Sequence, residues 1–231
     1  MKRCRIIYFS QGGSTATVAE HIARGLSSAG YEVTSHNLLD GPPPALDDYD
    51  LLGIGSPVYY YRLPFNVADY VKALPDLAGR PVFAFLLHAT YHLDAANALR
   101  RELARKGGRE VGFAYFLGAG YFLGYLRRGS RFCVEHPTAA ELAQAEAFGR
   151  EVVAHASGAP YVPPAFDAPA PAIYAFERMV SSRPLVKNVY SRLFRVDRGK
   201  CKRCGQCIRL CPTRNISAGP DRFPVLSLIH I

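Results

Sequence analysis

Four cysteines crowd into one short run: Cys201, Cys204, Cys207 and Cys211, the last followed by Pro212, in the spacing C-x2-C-x2-C-x3-C-P. Three thiols two residues apart force the backbone to curl tightly around whatever they bind. Thiolates at that spacing wrap one cubane iron–sulfur cluster and aim the loop's amide N–H groups at its sulfides, while the fourth cysteine leaves the loop and normally serves a second cluster. Structural zinc usually takes paired C-x2-C knuckles separated by a longer spacer, and no second knuckle occurs, which leaves zinc as the lesser alternative. A disulfide framework fits poorly, because Cys201, Cys204 and Cys207 are too close together and only Cys4 and Cys133 lie elsewhere. The run points to electron transfer.

A two-cluster module would need a second cysteine run about two dozen residues further on. The last six residues, Leu226 to Ile231, read as the translation of an adapter used in transposon-based sequencing libraries. The expectation is therefore that the native chain continues past about Val225 and that residues 226–231 are a scar outside the fold. A short apolar strand is the other reading of the same six residues. On the first reading Cys211 lacks the cluster it would serve.

At 231 residues the chain has room for an α/β domain of about 150 residues and a smaller appendage. The apolar run after Met1 is too short for a signal peptide, and no stretch approaches the length of a membrane span. Free cysteines in a cluster motif point to a reducing, cytoplasmic compartment. Charge is distributed unevenly. Residues 1–176 balance 16 basic against 16 acidic side chains, whereas residues 177–222 carry 12 basic and 3 acidic ones. Such a segment suits a docking surface for acidic redox partner proteins. Nucleic acid is the rival partner, but no recognition motif accompanies the charge. Nothing in the sequence sets the oligomeric state.

Hydrophobic pattern divides the first 157 residues into alternating strands and helices. Strands are expected at 3–9, 31–37, 51–55, 82–88 and 111–117. Helices are expected at 15–28, 65–74, 95–106 and, opened by the capping box of Thr138 and Glu141, on to about Ala156. Five strands interleaved with helices imply a parallel sheet covered on both faces. The proline-dense stretch 158–171 reads as the start of a linker that runs to residue 194 and contains two short helices, at about 173–181 and 184–194. Residues 195–225 then form the cysteine module.

The turn Ser10, Gln11, Gly12, Gly13, Ser14 and Thr15 falls between the first strand and the first helix. An open α/β sheet binds phosphate at that junction, on helix N-terminal amides and the positive end of the helix dipole. Glycine lets the backbone approach an anion, and Ser10, Ser14 and Thr15 can donate hydroxyl hydrogen bonds. No lysine follows Gly13, so this is not a nucleoside-triphosphate loop. A plain helix cap is the alternative reading of the same residues.

These residues carry a resemblance. The turn is similar to the flavin mononucleotide (FMN) phosphate loop of flavodoxins, roughly S/T-x-T-G-x-T, matched at Ser10, Gly13 and Thr15, with Gly12 in place of the central threonine. The segment Ser56, Pro57, Val58, Tyr59, Tyr60 resembles the flavin-contacting G-x-P-V-Y stretch of the same family, which implies that Tyr59 or Tyr60 stacks on the isoalloxazine. Packing or a substrate wall is the other role open to the tyrosines Tyr59–Tyr61. His88, Ala89 and Thr90 occupy the place of the second flavin loop, without the glycines common there. His88 and His92 lack the third ligand a metal pair would need.

Taken with the cysteine run, the chain resembles the EFR1-type ferredoxins, in which an N-terminal flavodoxin domain precedes a two-cluster ferredoxin module. The resemblance covers about residues 3–157 and 195–225. It implies a flavodoxin-like α/β fold of five parallel strands with a small ferredoxin-like module, FMN in the first domain, and [4Fe-4S] clusters in the second, two in a full-length protein. Three functions are compatible with the sequence. One is electron transfer between FMN and clusters. Another is flavin-dependent reduction of a small quinone-like acceptor lined by Tyr59–Tyr61 and His88. The last is a flavin-free docking scaffold, which Gly12 and the glycine-poor loop at 88–92 would suit.

Overall fold

The computed structural model describes residues 1–120, 129, 132–190, 193, 195–211 and 216–226. Pro212, residues 191, 192 and 194 of the expected helix 184–194, and residues 227–231 of the expected scar lie outside them. The chain divides after Pro169 into two compact units.

The first unit is built on β1 (Lys2–Tyr8), β2 (Tyr31–Asn37), β3 (Leu51–Pro57), β4 (Pro81–His88) and β5 (Arg109–Leu117). All pair in parallel, in the order β2-β1-β3-β4-β5. β3 and β4 run through the middle and bury nearly every residue on both faces, as parallel strands between two helical layers must. That is why they read as continuous apolar runs rather than as alternating patterns.

On one face α2 (Phe65–Ala73) and α3 (Ala95–Arg105) enclose Ile7, Leu52, Ile54, Leu86 and Leu99. On the other, α1 (Ser14–Ser28) and α4 (Ala139–Ala156) enclose Ile6, Ile22, Leu26, Phe83 and Phe85. α1 and α4 approach so closely that a Cβ on Gly25 would lie 2.0 Å from the Glu146 carbonyl oxygen, and one on Gly149 2.4 Å from that of Ile22. The expected capping box holds: Thr138 accepts from the Glu141 amide, and the Glu141 carboxylate accepts from the Thr138 amide.

The first unit extends beyond the expected boundary at 157, because 158–169 does not hang free as a linker. Arg100, 5% exposed, forms a two-pronged pair with Glu110 at 2.9 Å and also donates to the Pro164 carbonyl at 2.8 Å. The Arg100 and Arg101 guanidinium groups lie over the Phe166 ring at 4.8 and 5.0 Å. Asn97 donates to the Asp167 carbonyl and accepts its amide, and the Tyr161 hydroxyl donates to Glu110. Proline density here marks a preset extended segment, not a loose one.

The second unit begins with a 3-10 turn, Ala172–Tyr174, and α5 (Ala175–Val180). A helical turn at Arg183–Leu185 passes into a π-helical stretch, Val186–Tyr190. After the cysteine loop come α6 (Gln206–Leu210) and the antiparallel pair β6 (Ile216–Ala218) and β7 (Pro224–Leu226), with Leu226 opposite Ile216.

Among the described residues no helix is long and apolar enough to cross a membrane.

Candidate functional site

The connection from β1 crosses to β2 on one side of the sheet, while β3 to β5 extend on the other. A crevice therefore opens at the C-terminal ends of β1 and β3, where open α/β sheets take their ligands. The turn 10–15 follows β1 into that crevice. Its backbone is fixed from below by Asn37 at the end of β2, which accepts the Ser10 amide at 3.1 Å and donates to the Ser10 carbonyl at 3.0 Å.

Gly13 has φ +94°, a conformation that L side chains avoid, and its carbonyl starts α1 by accepting the Thr17 amide at 3.0 Å. The helix has no side-chain cap on its first amides beyond the Ser10 hydroxyl, which accepts Ala16 N–H at 3.2 Å. Among the described residues the amides of Gln11, Gly12, Gly13, Ser14 and Thr15 have no acceptor. Unmatched donors at a helix N-terminus, with no acidic side chain in the first turn, make an anion site.

The hydroxyls complement it. Ser10 Oγ accepts from Ala16 and Ser14 Oγ from the Ala119 amide at 3.4 Å, so the O–H proton of each is left to donate. Thr15 is 3% exposed and sits at the floor. The residues present thus fit a phosphate group without the central threonine that Gly12 replaces.

The β3 side of the crevice departs from expectation in two ways. Ser56 is wholly buried and gives its hydroxyl to the Pro57 carbonyl at 2.9 Å, so its side chain is turned into the sheet. β3 is covered on both faces, and no alternation in the sequence marks which residue emerges. Val58 continues the ladder by donating to Leu87 O at 2.8 Å, with its side chain against the α2/α3 core.

The chain then turns back within two residues. Tyr59 and Arg62 exchange backbone hydrogen bonds at 2.9 and 3.1 Å, and Tyr60 and Tyr61 between them have φ +48° and +60°. Positive φ at both central positions is what a type I′ turn requires, and Asn-Gly usually supplies it. Two tyrosines there hold about 1–2 kcal/mol of strain each. Such strain concentrates at ligand sites.

Tyr59 packs edge-on against Phe9, with ring centroids 6.4 Å apart, and its hydroxyl donates to Gln11. Burial of that hydroxyl end pushes the Tyr59 pKa up to about 12. Tyr60 presents the more exposed ring, at 47%.

The loop after β4 is braced by residues that sequence reasoning missed. Gly118 N–H donates to the His88 carbonyl at 3.0 Å, and the Cys133 thiol donates to the Ala89 carbonyl at 2.9 Å. Gly120 comes so near that an added Cβ would stand 2.9 Å from Ala89 Cβ. The glycine pair flanking Ala119, just past β5, is the signal that could have found this contact; Cys133 offered none. Thr90 is exposed at the loop tip.

The His88 ring meets those of His92 and Tyr115 edge-on, at 4.9 and 5.8 Å, and its Nδ1 is buried without a partner. Desolvation, then the neighbouring His92, hold the His88 pKa below the ordinary imidazole value.

In the second unit Asp197 starts the cysteine loop: its carbonyl accepts Cys201 N–H at 3.0 Å, and its carboxylate accepts from Gly199 and Lys200. Arg203 at φ +54° and Gly205 at φ +70° then curl the backbone, and the Gly205 carbonyl starts α6. The loop borders an open hollow of about 480 Å³ lined by Cys201, Cys204 and Cys207 together with Lys200, Lys202, Arg203 and Arg222. Cys211 follows α6 in extended conformation and is not among the lining residues. The hairpin is tied back through Asp221, whose carboxylate stands 3.5 Å from Arg203, while Arg198 lies 4.3 Å over Phe223. Among the described residues no three Cys, His, Asp or Glu side chains gather tightly enough to hold one metal ion; a cubane, which takes each thiolate on a different iron, asks instead for sulfurs spread along a common cavity.

Comparison with known proteins follows the same division. The flavodoxin-domain family matches residues 5–135, and the 4Fe-4S binding domain matches residues 194–217. No curated protein matches. The chain is similar in fold to a flavodoxin from the domain Archaea, at 17% identity and TM-score 0.51, covering 67% of this chain and 99% of that one. A short-chain flavodoxin associated with a non-canonical PDU bacterial microcompartment gives 13% identity and TM-score 0.53, covering 68% and 99%. The flavodiiron core of Flv1 from Synechocystis sp. PCC6803 gives 19% identity and TM-score 0.51, covering 69% of this chain and 37% of that one.

Proposed function

The chain belongs to the flavodoxin-domain family and carries a 4Fe-4S binding domain, which makes it an electron-transfer protein, and on that premise we propose that it passes electrons between FMN and a cluster on the same chain. When bound, FMN exchanges electrons in pairs or singly, and a [4Fe-4S] cluster carries them one at a time. The observation that carries the FMN reading is the set of five amides, 11–15, that have no acceptor among the described residues at the N-terminus of α1.

Each part of the crevice has its task. The amides of 11–15 and the hydroxyls of Ser10, Ser14 and Thr15 hold the phosphate. Tyr59 and Tyr60, Pro57 and the Val58 carbonyl border the ring on the β3 side, and His88, Ala89 and Thr90 on the β4 side. Tyr59 and Gln11 keep the two loops at a set spacing. In the second unit Cys201, Cys204 and Cys207 ligate one cluster in the cavity, with Cys211 as the remaining metal ligand.

The four basic side chains that line the hollow offset the negative charge of an iron–sulfur cluster and its thiolates. They also give the face of the cysteine loop the sign that attracts an acidic redox partner. A flavin-free scaffold gains support from Gly12 and from the glycine-poor loop at 88–92. The unmatched amides favour flavin over it.

Absorbance of the purified protein, reconstituted anaerobically with iron and sulfide, tests the proposal. Flavin bands together with a broad cluster shoulder are expected. A cluster shoulder without flavin, after incubation with excess FMN, rejects the FMN half. Flavin without bound iron rejects the other half.

A further inference from the structure

Residues 158–169 do more than cover the open edge of β5. α4 runs antiparallel to the sheet and ends at Ala156 beside the foot of β5, where the His155 Nδ1 contacts the Val111 carbonyl at 3.1 Å. A chain leaving there would start the second unit at the end of the sheet opposite the crevice. Instead it climbs. Tyr161 is held at the foot by Glu110, the second residue of β5. Pro164 is held by Arg100 in the middle of α3. Asp167 is held at the head, where Asn97 bonds its amide and carbonyl at 3.0 and 2.9 Å and the Tyr115 hydroxyl donates to its carboxylate at 2.5 Å.

From Glu110 to Tyr115 the climb is about 16 Å, at roughly 3.3 Å per residue of strand. Its upper end adjoins the second flavin-loop position: His92 stacks on Tyr115 at 3.9 Å, stands 4.0 Å from the Asp167 carboxylate, and meets His88 edge-on. Covering an edge strand requires neither this direction nor a latch at the top.

We infer that 158–169 is a positioning strap, which carries the chain from the foot of the sheet to its flavin-binding edge and, latched by Asp167 and Asn97, fixes there the point from which the chain leaves the first unit. The inference rests on the proposed transfer between FMN and the cluster. Its physical advantage is effective concentration: an exit point fixed beside the crevice shortens the span a tether must cover to bring a cluster to the flavin, and a shorter span raises effective concentration.

The test uses the full chain, loaded with FMN and cluster. The sequence contains no tryptophan, so one introduced as Ala168→Trp or as Val162→Trp, both at exposed positions, is a sole reporter whose emission is quenched by nearby flavin. Quenching should be stronger at 168 than at 162. Adding the unlatching pair Asn97→Ala and Asp167→Ala should relieve it at 168, while Asp167→Asn, which still accepts from Tyr115, should retain it. In the protein without a reporter, the unlatched variant should keep stoichiometric flavin but lose about tenfold in the rate of flavin-to-cluster transfer.

Equal quenching at 162 and 168, or no change on unlatching, overturns the strap. Transfer in the unaltered chain at a rate that unlatching leaves alone overturns its positioning role while the proposed function stands. Absence of any transfer in the unaltered chain rejects the proposed function and, with it, the positioning role.

Discussion

The Tyr59 hydroxyl donates to Gln11 Oε1 at 2.9 Å, joining the loop that follows β3 to the loop that follows β1. The two residues are 48 apart in the chain, but their loops follow strands that are neighbours in the sheet. Their spacing is thus set by the fold before any ligand arrives, which lowers the ordering cost of binding.

The phosphate reading makes Thr15→Val a sharp substitution, since it keeps the shape of a side chain 3% exposed and removes only the hydroxyl. FMN should bind about 1–1.5 kcal/mol more weakly, a loss of roughly tenfold. Riboflavin, which lacks the phosphate, should bind both forms equally. Titration of apoprotein followed by flavin fluorescence measures both, and an equal loss for the two ligands would move the phosphate elsewhere.

Replacing Tyr60 and Tyr61 by Asn and Gly gives the turn between Tyr59 and Arg62 residues that tolerate its positive φ values. The apoprotein should gain about 1–2 kcal/mol of stability against urea. The same change removes the more exposed ring at the crevice, so FMN affinity should fall. A variant that gains stability with no loss of affinity would show that neither tyrosine meets the flavin.

Arg100→Ala should destabilise the first unit by about 1–3 kcal/mol, because the guanidinium is 5% exposed and its loss leaves the Pro164 carbonyl without that donor and the Glu110 carboxylate with only the Tyr161 hydroxyl. Urea unfolding followed by flavin release reports it. In the unaltered protein, chymotrypsin should cut after Phe176 before Phe166, since Phe166 lies under two guanidinium groups. First cleavage at Phe166 would contradict the docked segment.

His88 sets a pH dependence. Its folded pKa is lowered, chiefly by desolvation and then by His92, so the unfolded chain binds the proton more readily. Its contribution to stability is complete above the ordinary imidazole value, about 6.5, and is lost as pH falls from there through the lowered folded value. His88→Gln should flatten that part of the profile, measured as the urea midpoint against pH. An unchanged slope would place the proton uptake on another group.

Much of the architecture was legible because strands and helices are local patterns. The strand at 31–37 and the capping box of Thr138 and Glu141 were readable directly, as was the turn 10–15. What was hidden depends on partners far away in sequence. The segment 158–169 reads as a tether until Asn97, Arg100 and Glu110, over 50 residues earlier, are seen to hold it. Ser56 reads as a ligand contact from the likeness of 56–60 to a flavin-contacting stretch, and no alternation in a strand buried on both faces marks that its side chain turns inward. Asn37 and Gly118 brace the crevice from the ends of other strands, and the turn at Tyr60–Tyr61 lacks the Asn-Gly signal.

Transfer of an electron from flavin to cluster within one chain is the central claim, and rapid anaerobic photoreduction of the FMN- and cluster-loaded protein tests it most directly. The account predicts that reduced-flavin absorbance decays as cluster absorbance bleaches, in one first-order phase whose rate is independent of protein concentration. Bleaching that does not follow flavin oxidation, or a rate proportional to protein concentration, would contradict it.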